Sequence, residues 1–209
     1  MLGRGAMKWF AGVSLLVAAA LAVAGAGCTS GGDTSDEGSA SETAVSAEAE
    51  QEASFPVTVV DDAGREVTIE SRPERIVSLA PANTEIVSEL GLLDSVVGVT
   101  DYDDYPTEVT EIPKVGDFVT PNLEAIAAAE PDLVLATTGV QADVVERLEE
   151  LGAVVVAVDP QDLESLYASI EMVGEAVGEP AEAIALAGSM REEIAVITDA
   201  VSSEASATV

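Results

Sequence analysis

The sequence predicts an α/β fold in which a parallel sheet carries helices on both faces. Three observations predict it: short, almost wholly apolar β-branched runs, helical patterns between them, and regular alternation of the two from about residue 75 onward. Strands buried on both faces read as continuous apolar runs, whereas strands with one wet face alternate apolar and polar residues. Strand–helix–strand alternation then implies parallel pairing, because a parallel neighbour is reached only through a crossover.

Taken in order, Val57 to Val60 and Val67 to Ile69 are β-branched runs around Asp61-Asp62-Ala63-Gly64-Arg65, which reads as a hairpin with Gly64 at its turn. Arg75 to Leu79 is a buried strand. Pro81-Ala82-Asn83-Thr84-Glu85 follows, with Asn83 or Thr84 placed to cap a helix through about Leu90, and Gly91 stops it. Val96 to Val99 is a strand, and Pro121 and Asn122 open a helix over 122–129. Leu133 to Leu135 is a strand, Asp143 to Leu151 a helix stopped at Gly152, Val154 to Val158 a strand, and Leu163 to Val177 a helix. In such a sheet the loops at one strand edge gather ligands. A final helix, Pro180 to Val201, carries a stripe of Ile184, Ala187, Met190, Ile194, Ile197 and Val201. That stripe needs a surface to lie on, either this sheet or a neighbour.

Composition narrows the function classes. The 209 residues hold 39 acids and 8 bases, a formal net charge of -31, so nucleic acid and anionic headgroups are repelled. An acidic surface with two lysines, Lys8 and Lys114, is one that high salt screens well, and a salt-rich setting is one reading of it. Histidine is absent and Cys28 is the single cysteine, which removes imidazole- and thiol-based nucleophile pairs, His or Cys metal sites and any intrachain disulfide. Carboxylate chemistry stays open. Binding gains over catalysis.

The N-terminus reads as an address. Arg4 and Lys8 precede an uncharged stretch over 9–27, which ends Gly25-Ala26-Gly27-Cys28. Small residues crowded before a lone cysteine resemble the lipobox of prokaryotic lipoproteins, with Gly25 standing where that pattern usually has an aliphatic residue. Residues 1–28 are therefore expected to be a lipoprotein signal with Cys28 the lipidated residue; an uncleaved membrane-spanning anchor is the alternative. Residues 29–54 hold seven acids and no base among Gly, Ser, Ala and Thr. Such a segment buries too little apolar area to offset chain entropy and is expected to be a disordered tether.

The informative stretch is 75–135. It contains SLAPANTE over 78–85, VGVTDYDDYP over 97–106, KVGDF over 114–118, Asn122-Leu123-Glu124 and PDLV over 131–134. These dispersed motifs resemble the solute-binding proteins of ABC importers for cobalamin and ferric siderophores, the cobalamin branch most closely. The resemblance spans roughly Phe55 to Val201 and implies two α/β lobes joined by a long rigid helix, with the solute between them. On that reading residues 55–178 are the first lobe, 179–202 the linker helix and 203–209 a tail, while the second lobe belongs to a longer gene product or a separate chain.

The resemblance also assigns residues. Tyr102 matches the family aromatic placed over the ligand, and Phe118 falls where cobalamin binders often have another. Ser78, Pro81, Ala82 and Asn83 form the strand-to-helix turn whose backbone N–H groups are expected at a solute edge. Glu124 matches the glutamate that docks on permease arginines, consistent with an acid in a first helical turn. Asp101, Asp103 and Asp104 read as a solvated acidic loop, and no metal site is expected. The implied function is capture of a metal-containing solute, cobalamin or another corrinoid first and a ferric siderophore or haem next. Delivery would go to ABC permease and ATPase subunits, without catalysis or cofactor, at the outer face of the cell membrane. A membrane-tethered interaction module that binds no solute is the alternative, and a carboxylate enzyme a distant third.

Overall fold

The computed structural model describes residues 54–207, with side chains as far as residue 202. Cys28, the expected leader and the expected tether up to residue 53 lie outside the described residues. Two strands, β1 (Val57–Val60) and β2 (Glu66–Ile69), pair antiparallel in the register Val57 to Ile69, with Gly64 at φ 76° in the turn that joins them. A left-handed backbone at that position suits glycine, which has no Cβ to clash.

Four further strands form a second, wholly parallel sheet: β3 (Ile76–Ser78), β4 (Val96–Gly98), β5 (Leu133–Ala136) and β6 (Val155–Ala157), in the spatial order β4-β3-β5-β6. Every residue of β3, β5 and β6 is buried, as continuous apolar strands require. The period of two sorts them between faces. Ile76, Leu133, Leu135 and Val156 join one core with Ile86 and Val87 of α1 (Pro81–Glu89) and Tyr167, Ile170 and Val173 of α4 (Leu163–Val177). Val77, Val134, Ala136 and Val155 join the other with Ile126 of α2 (Leu123–Ala128) and Val145 and Leu148 of α3 (Ala142–Glu150). At about 25 cal/mol per Å2 of apolar surface removed from water, these two cores supply the main driving force of folding.

Two sequence expectations are corrected. Neither Asn83 nor Thr84 caps α1: the helix starts at Pro81, with Ala80 in the cap position and no side-chain cap. Proline is favoured at a first helical position, since its fixed φ suits the helix and its missing N–H is not needed there. Asn83 and Thr84 are thereby drawn inside the first turn, where both are buried.

The second correction concerns the last helix, α5, which spans Pro180–Ala207 and so runs past the expected end at 202. It packs on α4 through Ala183, Leu186, Ala187 and Met190, while Ile184 is exposed. A Cβ placed on Gly174 of α4 would lie 2.2 Å from Ala183 Cβ. The two helices approach so closely there that small residues, not the bulkier Ile184, define the contact face. Arg191 adds an ion pair to Glu171 at 3.1 Å and a guanidinium 4.5 Å from the Tyr167 ring centroid. From Arg191 to Ser202 every residue is exposed. Among the described residues no helix is long and apolar enough to cross a membrane.

Candidate functional site

In the order β4-β3-β5-β6, the chain leaves β3 toward β4 and leaves β5 toward β6. The loops diverge between β3 and β5, the switch point where open parallel sheets take ligands. The loop after β3 is Leu79–Ala80, running straight into the first turn of α1, that after β4 is Val99 to Pro106, and that after β5 leads through a 3₁₀ turn over Gly139–Gln141 into α3. Residues 113–116 run beside 99–101, held by Val99 N–H to Pro113 O (3.1 Å), Val115 N–H to Val99 O (2.8 Å) and Asp101 N–H to Gly116 O (2.9 Å). This carries the edge one strip beyond β4 and brings the 116–121 loop to it.

Tyr102 stands at that rim, 59% exposed. Its hydroxyl donates to Asp117 Oδ2 at 2.9 Å. Asp117 Oδ1 in turn accepts from Val119 N–H (2.7 Å) and Thr120 N–H (3.2 Å), closing the turn that carries half-buried Phe118. The structure therefore joins the loops of the two expected aromatics through one carboxylate. Hydrogen bonding and charge from Asp117 push the Tyr102 phenol above its ordinary range, with Asp101 adding to the effect. The N–H groups of Val119 and Thr120 and the Tyr102 hydroxyl, Val119 most of all, hold the Asp117 carboxyl below the usual carboxylate range.

The strand-to-helix turn divides in two. Ala82 is exposed and Pro81 half-buried, and the Ala82 N–H has no partner among the described residues. Ser78 and Asn83 are buried: Ser78 Oγ donates to Ala80 O (3.0 Å), and Asn83 Nδ2 to Ala136 O on β5 (3.2 Å). Asn83 N–H is also occupied, by Ala80 O at 3.1 Å. These two side chains shape the turn from inside.

Asp103 is not the solvated acid the sequence suggests. It is 3% exposed, and it accepts from Thr100 N–H (3.0 Å), Thr100 Oγ1 (2.5 Å) and Thr84 Oγ1. Its own carbonyl accepts from Lys114 Nζ at 2.9 Å. A buried carboxylate is tolerated when its lone pairs are met in this way; here the arrangement clamps the Tyr102 loop to α1. Nothing in the run Asp101 to Asp104 distinguishes the one that turns inward.

Gln141 is the second residue missed. It is fully buried, with Nε2 donating to Leu79 O and Phe118 O, and Oε1 accepting Thr137 N–H (2.9 Å). A signal for it existed: Gln141, Val145 and Leu148 share the buried stripe spacing of an amphipathic helix. The hairpin is anchored at the same edge by buried Asp61, whose carboxylate accepts from Ala157 N–H of β6 (3.1 Å), from Arg65 N–H (2.9 Å) and from the Arg65 guanidinium (3.0 and 2.5 Å). Burial pushes the Asp61 carboxyl up, but the bonds from Arg65 and Ala157 outweigh it and leave its pKa lowered.

A cavity of about 190 Å3 lies between the hairpin and α3, lined by Ala63, Arg65, Thr138, Val145 and Glu149 among others; Tyr102 and Phe118 are not part of it. Pockets that enclose drug-sized ligands run to roughly 300–1,000 Å3, so this cavity would not enclose a large flat molecule. The Tyr102 rim is instead an open surface. Glu124 is exposed in the first turn of α2, where Asn122 Oδ1 caps by accepting Glu124 N–H (3.0 Å) and Ala125 N–H (3.2 Å).

Comparison with known proteins gives the same architecture. The profile of the periplasmic binding protein family matches residues 76–209. An ABC transporter substrate-binding lipoprotein of Bacillus subtilis, YvrC, is 41% identical over 194 residues, covering 90% of this chain and 58% of that protein. A cobalamin-binding protein of Halobacterium salinarum is 34% identical over 158 residues, covering 74% and 43%. The crystal structure of a periplasmic haem-binding protein from Pseudomonas aeruginosa superposes with a TM-score of 0.59 at 28% identity, covering 63% of this chain and 48% of that one. The chain spans about half the length of the curated relatives it matches.

Proposed function

The chain belongs to the periplasmic binding protein family, and from that premise we propose that it captures a flat, metal-containing solute outside the cell for an ABC importer, with cobalamin or another corrinoid the first choice. The observation that carries this reading is Tyr102, an exposed aromatic at the ligand-gathering edge of a parallel sheet, tied through Asp117 to the loop of Phe118. A rigid ring buries much area at little entropic cost, which suits a planar partner. The exposed Ala82 N–H, without a partner among the described residues, offers a polar group in the turn that follows β3.

On this reading the protein transforms nothing and needs no cofactor; binding and release suffice. Glu124 docks on a permease arginine, an assignment supported by its exposure at a helix N-terminus. Lipidation of Cys28 holds the chain at the outer face of the cell membrane, a role supported by the substrate-binding lipoprotein among its relatives. Labelled fatty acid on Cys28 tests that part. Haem is the second candidate solute, favoured by the likeness to the haem-binding structure.

Titration of the full chain with cyanocobalamin and with ferric haem, followed by absorbance or calorimetry, tests the capture. Binding at micromolar concentration or below, weakened in Tyr102→Ala, is expected. Flat titrations with both solutes would leave the interaction module as the better account.

A further inference from the structure

Asp117 occupies a position that neither a solvated loop acid nor a simple turn cap explains. One of its oxygens accepts the Tyr102 phenol from the neighbouring loop, and the other accepts the two N–H groups that follow Phe118. Phe118 is also held from beneath, since buried Gln141 donates to its carbonyl at 2.7 Å. The Phe118 turn is thus pinned on both sides, whereas Tyr102, on an exposed loop tip, has Asp117 as the one side-chain partner of its hydroxyl among the described residues. Remove that carboxylate and the ring is free to rotate away while the loop beneath it, clamped by Asp103, stays in place.

The charge at this rim has a direction as well. Asp101 and Asp104 are exposed beside Tyr102, and Asp117 is half-buried. Of the nearby cations, Arg65 is paired with Asp61 and Glu149, each at 2.5 Å, while Lys114 Nζ donates to Asp103 O at 2.9 Å. A solute edge carrying carboxylates would meet the carboxylates of Asp101, Asp104 and Asp117 here. A solute that presents amides or an uncharged ring face meets no such opposition.

We propose that Asp117 is the positioning and selectivity residue of this rim: it fixes the Tyr102 ring against the Phe118 turn, and its charge disfavours solutes that bear carboxylates. This rests on the reading that the edge captures a solute, and it narrows that solute to metal complexes with uncharged peripheries. The phenol stays neutral in this arrangement, because the adjacent carboxylates oppose its ionisation.

The test compares Asp117→Ala, Asp117→Asn and Tyr102→Phe in the full chain, with cyanocobalamin as the uncharged-periphery probe and ferric haem as the carboxylate-bearing one. Asp117→Ala is expected to weaken cyanocobalamin about tenfold, the scale of one well-placed aromatic contact. Asp117→Asn, which keeps acceptor oxygen and shape, should restore most of that loss while tightening haem about fivefold, the effect of one partly screened charge at short range. Equal shifts for both probes in Asp117→Ala and Asp117→Asn, or none, would overturn the proposal, since a structural defect does not discriminate between solutes.

A readout without solute completes the test. With 13C-labelled tyrosine, the Tyr102 Cζ resonance, assigned by its loss in Tyr102→Phe, should titrate at lower pH in Asp117→Asn than in the wild type. An unmoved midpoint overturns the pairing itself. Binding of neither probe to the wild-type chain would overturn solute capture and the selectivity built on it, while a displaced midpoint would still uphold Asp117 as the residue that positions Tyr102.

Discussion

Gln141 Nε2 donates to the carbonyl of Phe118 at 2.7 Å and to that of Leu79 at 2.8 Å, so one buried amide ties the loop after β3 to the rim turn beside β4. With Thr137 N–H on its oxygen, the same side chain also holds the loop after β5. Three loops from separate parts of the chain are registered by one residue, and its loss should be felt both in stability and at the rim.

Gln141→Leu keeps volume but leaves Leu79 O, Phe118 O and Thr137 N–H without that partner. Each unsatisfied buried group costs about 1–3 kcal/mol, and partial access of water moderates the sum. Chemical denaturation should show a loss of about 2–4 kcal/mol, with amide exchange accelerated at residues 117–119.

Asp103→Ala is expected to destabilise the fold by about 2–4 kcal/mol, because two threonine hydroxyls and the Thr100 N–H lose their acceptor in a buried setting. The same variant should weaken cyanocobalamin binding by freeing the Tyr102 loop. Asp104→Ala, at an exposed neighbour, should leave stability within about 0.5 kcal/mol. Parallel urea melts of the two variants check the contrast.

The hairpin anchor carries a pH dependence. The Asp61 pKa is lowered in the folded state relative to its ordinary value of 3.8. Such a carboxylate contributes stability that is fully present above that ordinary value and is lost as pH falls through the lower folded one. Acid melts of the wild type should therefore lose stability more steeply below about pH 4 than those of Asp61→Asn, whose own stability is lower at neutral pH.

The last helix should respond unevenly along its length. Gly174→Ala places a Cβ 2.2 Å from Ala183 Cβ and 2.9 Å from Glu179 O, and overpacking of that kind costs about 1–3 kcal/mol. Ile197→Asp, at a residue 58% exposed, should change stability by less than about 0.5 kcal/mol in this chain. Thermal melts of both variants separate the docked part of α5 from its exposed part.

Most of the fold was legible in the residues alone. Continuous apolar runs such as Leu133 to Val134 can be buried on both faces only in a parallel sheet between helix layers, and the glycine at position 64 marks its turn through backbone sterics. The motif around Tyr102 pointed to the rim, and Tyr102 does stand exposed there. The strands and helices are properties of local pattern, with periods of two and about 3.6 residues, whereas the expectation for Tyr102 came from the family resemblance of its motif.

Tertiary structure alone decided which acidic residues turn inward. Asp103 and Asp104 are adjacent and identical in chemistry, yet one is buried because Thr84 and Thr100 happen to face it across two loops. Asp61 meets Ala157 across 96 positions, and Asp117 meets Tyr102 only because residues 113–116 run beside 99–101. The face α5 presents to α4 was likewise set by how closely Gly174 lets Ala183 approach. Hydrogen-bond satisfaction and close packing depend on what lies across the gap, and no linear spacing encodes that partner.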